Sequence, residues 1–525
     1  MSAWTPLLAA SELQPGRPRA VTAGPHRLAV VRTSDGAIHV TDLACPHQGY
    51  PLTQGEVDGH LLTCAFHNYR FDLRSGACVK GDEPVHRWNS RVVDGQVEVE
   101  LVPVDREAER QRAWSRFDDA LVDGRLNQLA REAVRLQTLE VPAASIAAHL
   151  AADEGRRAEW GTTHVAPGGA ELLADLGADL HNDTRDLLLL AELSVRRHAR
   201  RPPHPLPDPA DTPSREAFLE AVEARDTERA QAHALGGLIA GVPVQDWIIE
   251  AATHHVADYG HGLIYALAIA ALLPHARPDD RAGLLAGMIR SLSEATREDV
   301  LPAWRGYRKA LGRLAGAPLP RTDPSLPVPD DVLDALISGH GAEKLVVGLL
   351  HEGVAPAAFI GVLALAAAER MLRFDPDHDR TVALEHNWLD VTHLLTFVDA
   401  VHRALPRVDH PTAARLVLQA SWFIAMHKAL DGTRELPLPP ADARAQLEAL
   451  VHDDLVPIPI VAVHVLKTAR AAERLSARLP PAVAHLPMAA TWRFVHSAPR
   501  QRWIGKRVFE AVQLVTEGRT PGRLV

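Results

Sequence analysis

The feature that most limits what this chain can be is a set of four metal-binding side chains in one short stretch. CPHQGYPLTQGEVDGHLLTCAFHNYRFD carries C-x-H, sixteen intervening residues, then C-x-x-H. The donors are Cys45, His47, Cys64 and His67. Each half of the motif is a tight loop that offers one thiolate and one imidazole. A zinc knuckle also uses two cysteines and two histidines, but it usually pairs Cys with Cys and His with His. Mixed loops suit a two-iron centre, with both thiolates on one iron and both imidazoles on the other.

The residues around the motif change their pattern about a hundred positions into the chain. Up to about Pro103 they read as short strands. LAVVRTSDGAIHVTDL alternates around Asp35-Gly36, and SRVVDGQVEVEL around Asp94-Gly95. An Asp-Gly pair between alternating apolar runs is a strong hairpin signal. From about Arg106, Ala, Leu, Arg and Glu dominate and apolar residues recur at helical spacing, as in LNQLAREAVRLQTLEV. Pro-rich stretches such as RPPHPLPDPADTP read as loops between helices. The expected architecture is a small all-β domain, residues 1–105, followed by a large, mostly α-helical domain, residues 106–525.

A chain of 525 residues can bury two sizeable cores. A formal net charge of -10 gives no general basic field, so nucleic acid is not an expected partner. The longest apolar run, Leu263 to Leu273, is too short to cross a bilayer and suits a buried core helix, so no membrane is expected either. The first twenty residues lack the charged and apolar blocks of a signal peptide. Three cysteines cannot build a disulfide framework, and a reducing cytoplasm is the expected compartment.

Over about its first hundred residues the chain resembles the Rieske [2Fe–2S] family, which implies a [2Fe–2S] cluster on Cys45, His47, Cys64 and His67. Asn68 stands where family members usually carry Gly, and Asn tolerates a left-handed backbone better than most residues. High-potential members carry Ser and Tyr hydroxyls near the second loop, where this chain has Tyr69 and Phe71. Fewer hydroxyl bonds to sulfur lower the potential. The resemblance therefore implies a low-potential donor, fed by an external reductase or ferredoxin drawing on NAD(P)H. Cys78 is not needed as a ligand and reads as a small buried thiol.

The D-x-x-H-x-x-x-x-H pattern of the Rieske oxygenases' catalytic domain is not found. Four other blocks occur in order: GTTHVAPGGAELLADLGADL, AATHHVADYGHGLIYALA, THLLTFVDAVHRAL and AVHVLKTARAAER. Together they resemble the questin oxidase-like family. That resemblance implies a mononuclear Fe(II) held by His164, His254, His261, His393 and Lys467, with Lys467 carboxylated on its amine. Lys467 and His393 are then the residues at the catalytic centre. It also implies an aromatic or polyketide-like substrate.

Each of these residues has a plainer alternative. His164 precedes a helix and could cap it. His254 and His261 are seven apart and on one straight helix would lie about 10.5 Å from each other, with Gly260 and Gly262 placed to bend it. His393 sits among apolar residues, where a lone His is more often part of the core. Lys467 follows an apolar run and either extends its head to the surface or lies buried with a lowered pKa. His464, one turn away, reads as a residue supporting the ligands.

The combined expectation is a Rieske-coupled non-haem iron oxygenase that inserts oxygen into a ring or cleaves it. Electron transfer within one chain and between subunits of a homo-oligomer both fit. The alternative is an electron-transfer protein with a non-catalytic, partner-binding helical domain. A zinc hydrolase ranks last, because it leaves the cluster without a role.

Overall fold

In the computed structural model, the described residues are 3–101, 105–197, 201–323, 326–384, 386–452, 459–497 and 503–518. A small all-β domain is followed by a large helical region of about 20 helices. By compactness the chain divides into two units. The first is Met1–Ala120 with Arg125–Leu139, and the second is Leu121–Gly124 with Glu140–Val525. Strand pattern gives way to helix near residue 105, whereas the first compact unit runs on through the helix Leu126–Thr138.

Among the described residues, the first unit holds eleven strands in three antiparallel sheets. β1 (Ala3–Ala9), β11 (Gln96–Leu101) and β10 (Ser90–Val93) form one, in that order. β2 (Arg19–Ala23), β3 (His26–Arg32), β4 (Ile38–Asp42) and β9 (Arg87–Trp88) form the second. β5 (Glu56–Asp58), β6 (Leu61–Thr63), β7 (Arg70–Asp72) and β8 (Cys78–Lys80) form the third. Both Asp-Gly pairs turn hairpins as expected. Asp94 and Gly95 take φ of 49° and 80°, the pair of positive values that a type I′ turn requires. Gly36, at φ 89°, closes the β3–β4 hairpin, with its N–H donating to the Thr33 carbonyl at 3.0 Å.

β3 is a wall between two cores. Its side chains alternate with the strand period of two. Leu28 and Val30 pack with Leu8, Val40, Val97 and Val99. Ala29 and Val31 pack on the other side with Leu52, Leu62, Phe71, Cys45 and Cys64. The second core is therefore the one that carries the two cluster cysteines.

In the helical unit, four helices close a ring. Val165–Leu172 packs on His261–Leu272, which packs on Trp388–Ala404. That helix packs on Pro459–Ser476, which returns to Val165–Leu172. Gly168 permits the close approach, since a Cβ there would stand 2.9 Å from Leu190 and 3.4 Å from Val463. His261–Leu272 is buried nearly all round, as its apolar run implies. Among the described residues, no helix is long and apolar enough to cross a membrane.

The expected single helix through His254 and His261 is two helices. One ends at His254 and the next starts at His261. Between them Asp258, Tyr259 and Gly260 take φ of 45°, 59° and 84°. The break is held by pairing with residues 296–298: the Glu298 N–H donates to the Val256 carbonyl at 2.8 Å, and the Thr296 N–H to the Asp258 carboxylate at 2.9 Å. Satisfying these polar groups outweighs continuing the helix. A Cβ on Gly260 would lie 2.6 Å from the Phe397 ring, whereas one on Gly241 (φ 71°) meets nothing within 4 Å. Gly241→Ala should therefore cost about 1 kcal/mol from backbone conformation alone, and Gly260→Ala about 1–3 kcal/mol more. Urea midpoints of the two variants measure the difference, and equal midpoints would contradict the contact with Phe397.

Candidate metal centres

The two loops of the first unit are built alike. In the first, the Cys45 N–H donates to the Tyr50 carbonyl and the Gly49 N–H to the Cys45 carbonyl, both at 2.8 Å. In the second, the Cys64 N–H donates to the Tyr69 carbonyl at 2.8 Å and the Asn68 N–H to the Cys64 carbonyl at 3.2 Å. Gly49 (φ 75°) and Asn68 (φ 58°) occupy the same place in the two loops. Asn68 thus adopts the left-handed backbone on which the loop depends. Both cysteines are buried. Burial and the neighbouring Cys64 push the Cys45 thiol up to about 12. The Nδ1 atoms of His47 and His67 stand 3.1 Å apart. Two thiols and two imidazoles in this arrangement fit a [2Fe–2S] cluster, whose cationic irons favour the thiolates. The Tyr69 hydroxyl donates to Asp82 at 3.2 Å, and Phe71 is fully buried in the core. Cys78 is half-buried against that core.

The second centre lies in the ring of four helices. His164, His261, His393 and His464 each aim one ring nitrogen into a space where all four lie within 4.8 Å of one another. His393 Nε2 is 2.8 Å from His261 Nε2 and 3.3 Å from His464 Nε2. His464 Nδ1 is 2.8 Å from the Ile460 carbonyl, so that nitrogen carries the proton and Nε2 presents a lone pair. Burial first, with Lys467 adding to it, holds His164, His261 and His393 well below the usual imidazole pKa; neighbouring histidines add to this at His164 and His393, and the Asp258 backbone opposes it at His261. As a neutral ring, His393 can donate its Nε2–H to one of these neighbours, and the remaining nitrogens then still turn lone pairs into the same space, where a cation would satisfy them. Metal–nitrogen bonds of roughly 2.1 Å put neighbouring ligand nitrogens about 3–3.4 Å apart, close to the distances from His393 to His261 and His464.

His164 immediately precedes its helix but makes no cap hydrogen bond, and its Nε2 is buried without a partner among the described residues. The helix start aims its ring inward instead. The Tyr265 hydroxyl lies 3.4 Å from its Nδ1. Lys467 sits one turn beyond His464, is 2% exposed, and its Nζ has no hydrogen-bond partner among the described residues. Its charge acts on His164, His261 and His393. Burial lowers its pKa to about 7, against the weaker opposing pull of Glu171. Glu171 is itself engaged by Arg474, at 2.8 Å. A buried, unpaired amine and an all-nitrogen set of imidazoles both fit a metal centre.

The structure therefore brings together His164, His261, His393 and His464, with Lys467 beside them. His254 is not in the group. It ends its helix partly exposed, with its pKa lowered by burial and by Arg415. His255 is held elsewhere by Asp299 and Glu223, each 3.0 Å away. The sequence reading gave His464 only a supporting place. The available signal was its spacing of three from Lys467, which puts both on one helix face.

Lys467 has a pH signature. Its folded pKa of about 7 lies below the ordinary 10.5, so from pH 7 to 10.5 the unfolded chain binds more protons. In metal-free, carbon-dioxide-free protein its contribution to stability should rise across that window by up to about 5 kcal/mol and be flat below it. Urea unfolding against pH should show this slope in the unsubstituted chain and not in Lys467→Met. Parallel curves would place the ammonium in water.

The Rieske [2Fe-2S] domain family matches residues 3–95. The anthranilate 1,2-dioxygenase ferredoxin subunit of Burkholderia cepacia is 37% identical over 103 residues, 19% of this chain and 94% of that protein. A cholesterol 7-desaturase of Hemicentrotus pulcherrimus is 38% identical over 77 residues, 14% of this chain but only 16% of the relative. The structure of the Sphingomonas yanoikuyae B1 ferredoxin aligns at 30% identity over 19% of this chain and 100% of its own, with a TM-score of 0.18. Sequence relatives of the N-terminal unit thus include a ferredoxin subunit and an oxygenase component.

Proposed function

We propose that this protein, which belongs to the Rieske [2Fe–2S] family through its N-terminal unit, is a Rieske-coupled non-haem iron oxygenase of the questin oxidase-like kind. The observation that carries the reading is the convergence of four imidazoles beside a buried, unpartnered lysine. His164, His261, His393 and His464 would hold a mononuclear iron. Four neutral imidazoles bring no negative charge, and a buried divalent cation without an anion is expensive. Lys467 answers that need. At a pKa of about 7 its amine is half neutral near pH 7. The neutral amine adds carbon dioxide, forming an N–C bond and releasing a proton to solvent. The product is a carbamate with two oxygen donors.

The first unit accepts single electrons from an external reductase or ferredoxin that draws on NAD(P)H. His164, His261, His393 and His464 would mark where the helical unit receives them, within the chain or across a homo-oligomer. A ferrous iron held by these residues would supply dioxygen activation. His261 is the most accessible of the four histidines, and the exposed Tyr259 ring lies 6.0 Å from His393. An aromatic or polyketide-like substrate would approach on that side. The Ile460 carbonyl orients His464 for the task. Oxygen insertion or ring cleavage is the outcome.

The alternative is an electron carrier whose helical unit only binds partners, which would need two irons per chain. Elemental analysis of anaerobically purified protein should give three. Lys467→Ala and His464→Ala should each fall to two with the Rieske absorption intact, whereas His254→Ala should keep three. Two irons in the unsubstituted chain would favour the carrier, and three in Lys467→Ala would remove that residue from the ligand set.

A further inference from the structure

The helix Leu126–Thr138 lies beyond the stretch that matches the Rieske family, yet it belongs to the same compact unit. One of its side chains reaches the first cluster loop. Arg131 donates from Nη1 to the backbone carbonyl of His47 and from Nη2 to Oε1 of Glu83. Glu83 is 8% exposed. Burial raises its pKa, while Arg131 acts against that rise. A fixed cation is thus held against the backbone of a ligand residue, with a buried anion behind it. The other charged groups near this pair are Glu132 and Arg135 on the same helix and Asp82 beside Glu83.

When the loaded site takes up one electron, its net charge falls by one and no bond need form or break. A cation a few ångströms away stabilises the added charge, and an anion opposes it. We infer that Arg131 is a positioning residue that biases the cluster of this chain toward its reduced state, and that Glu83 both orients the guanidinium and limits the bias. In this chain Arg131 lies outside the stretch that matches the Rieske family, because its helix follows the matched residues. The inference concerns the first unit only and stands whether or not the helical unit binds iron.

The test uses the full chain loaded with its cluster, titrated with dithionite against redox dyes and followed by visible absorption. Arg131→Gln should lower the midpoint potential. Arg131→Lys keeps the charge and should stay near the unsubstituted value. Glu83→Gln removes the anion and should raise the potential. Unchanged potentials would overturn the inference, as would Arg131→Lys falling as far as Arg131→Gln, or a fall in Glu83→Gln. Should Arg131→Gln fail to hold the cluster, the direction of the Glu83→Gln shift alone decides.

Discussion

The burial of Lys467 is the constraint on which the helical unit turns. An amine with no partner and almost no exposure is costly, and folding tolerates it only where the surroundings are over-determined. Here they are: four helices close a ring, and glycines bring two of them together. The same ring that removes water from Lys467 keeps the surrounding histidines neutral. Desolvation therefore does two things at once. It lowers the proton affinity of the Lys467 amine and it keeps the converging imidazoles neutral.

The first unit reaches a related end by another route. Its loops present ligands through backbone hydrogen bonds within each loop, and β3 supplies a wall whose alternate side chains seal the cysteines from one side. The left-handed residue in each loop sets the turn that follows the ligands. The cysteines are buried, while the His67 ring is exposed at the tip. A redox group held there would be shielded at its sulfurs and reachable at its imidazoles, which suits electron exchange with a partner.

Much of this was legible before any coordinates. The strand half, the helical half, both Asp-Gly hairpins, the accommodation at Asn68 and the buried run from Leu263 follow from local chemistry. The less legible part was the segment between His254 and His261. Gly260 and Gly262 suggested a bend, yet the helix ends outright. The reason is a non-local partner, the stretch Thr296–Glu298, which takes the hydrogen bonds that a continuous helix would have kept. That break removes His254 from the group, and His464 completes the four.

Sequence alone determined which side chains were available: mixed Cys and His pairs at loop spacing, histidines scattered along helical segments, and a lysine after an apolar run. Spacing within one loop or one helical turn limits which atoms can meet, so those parts could be read directly. Tertiary structure decided which distant histidines share a cavity, and that Arg131, 84 residues beyond His47 in the chain, returns to the His47 carbonyl. Such meetings depend on how helices pack and where they end, which is a property of the whole fold and not of any short stretch.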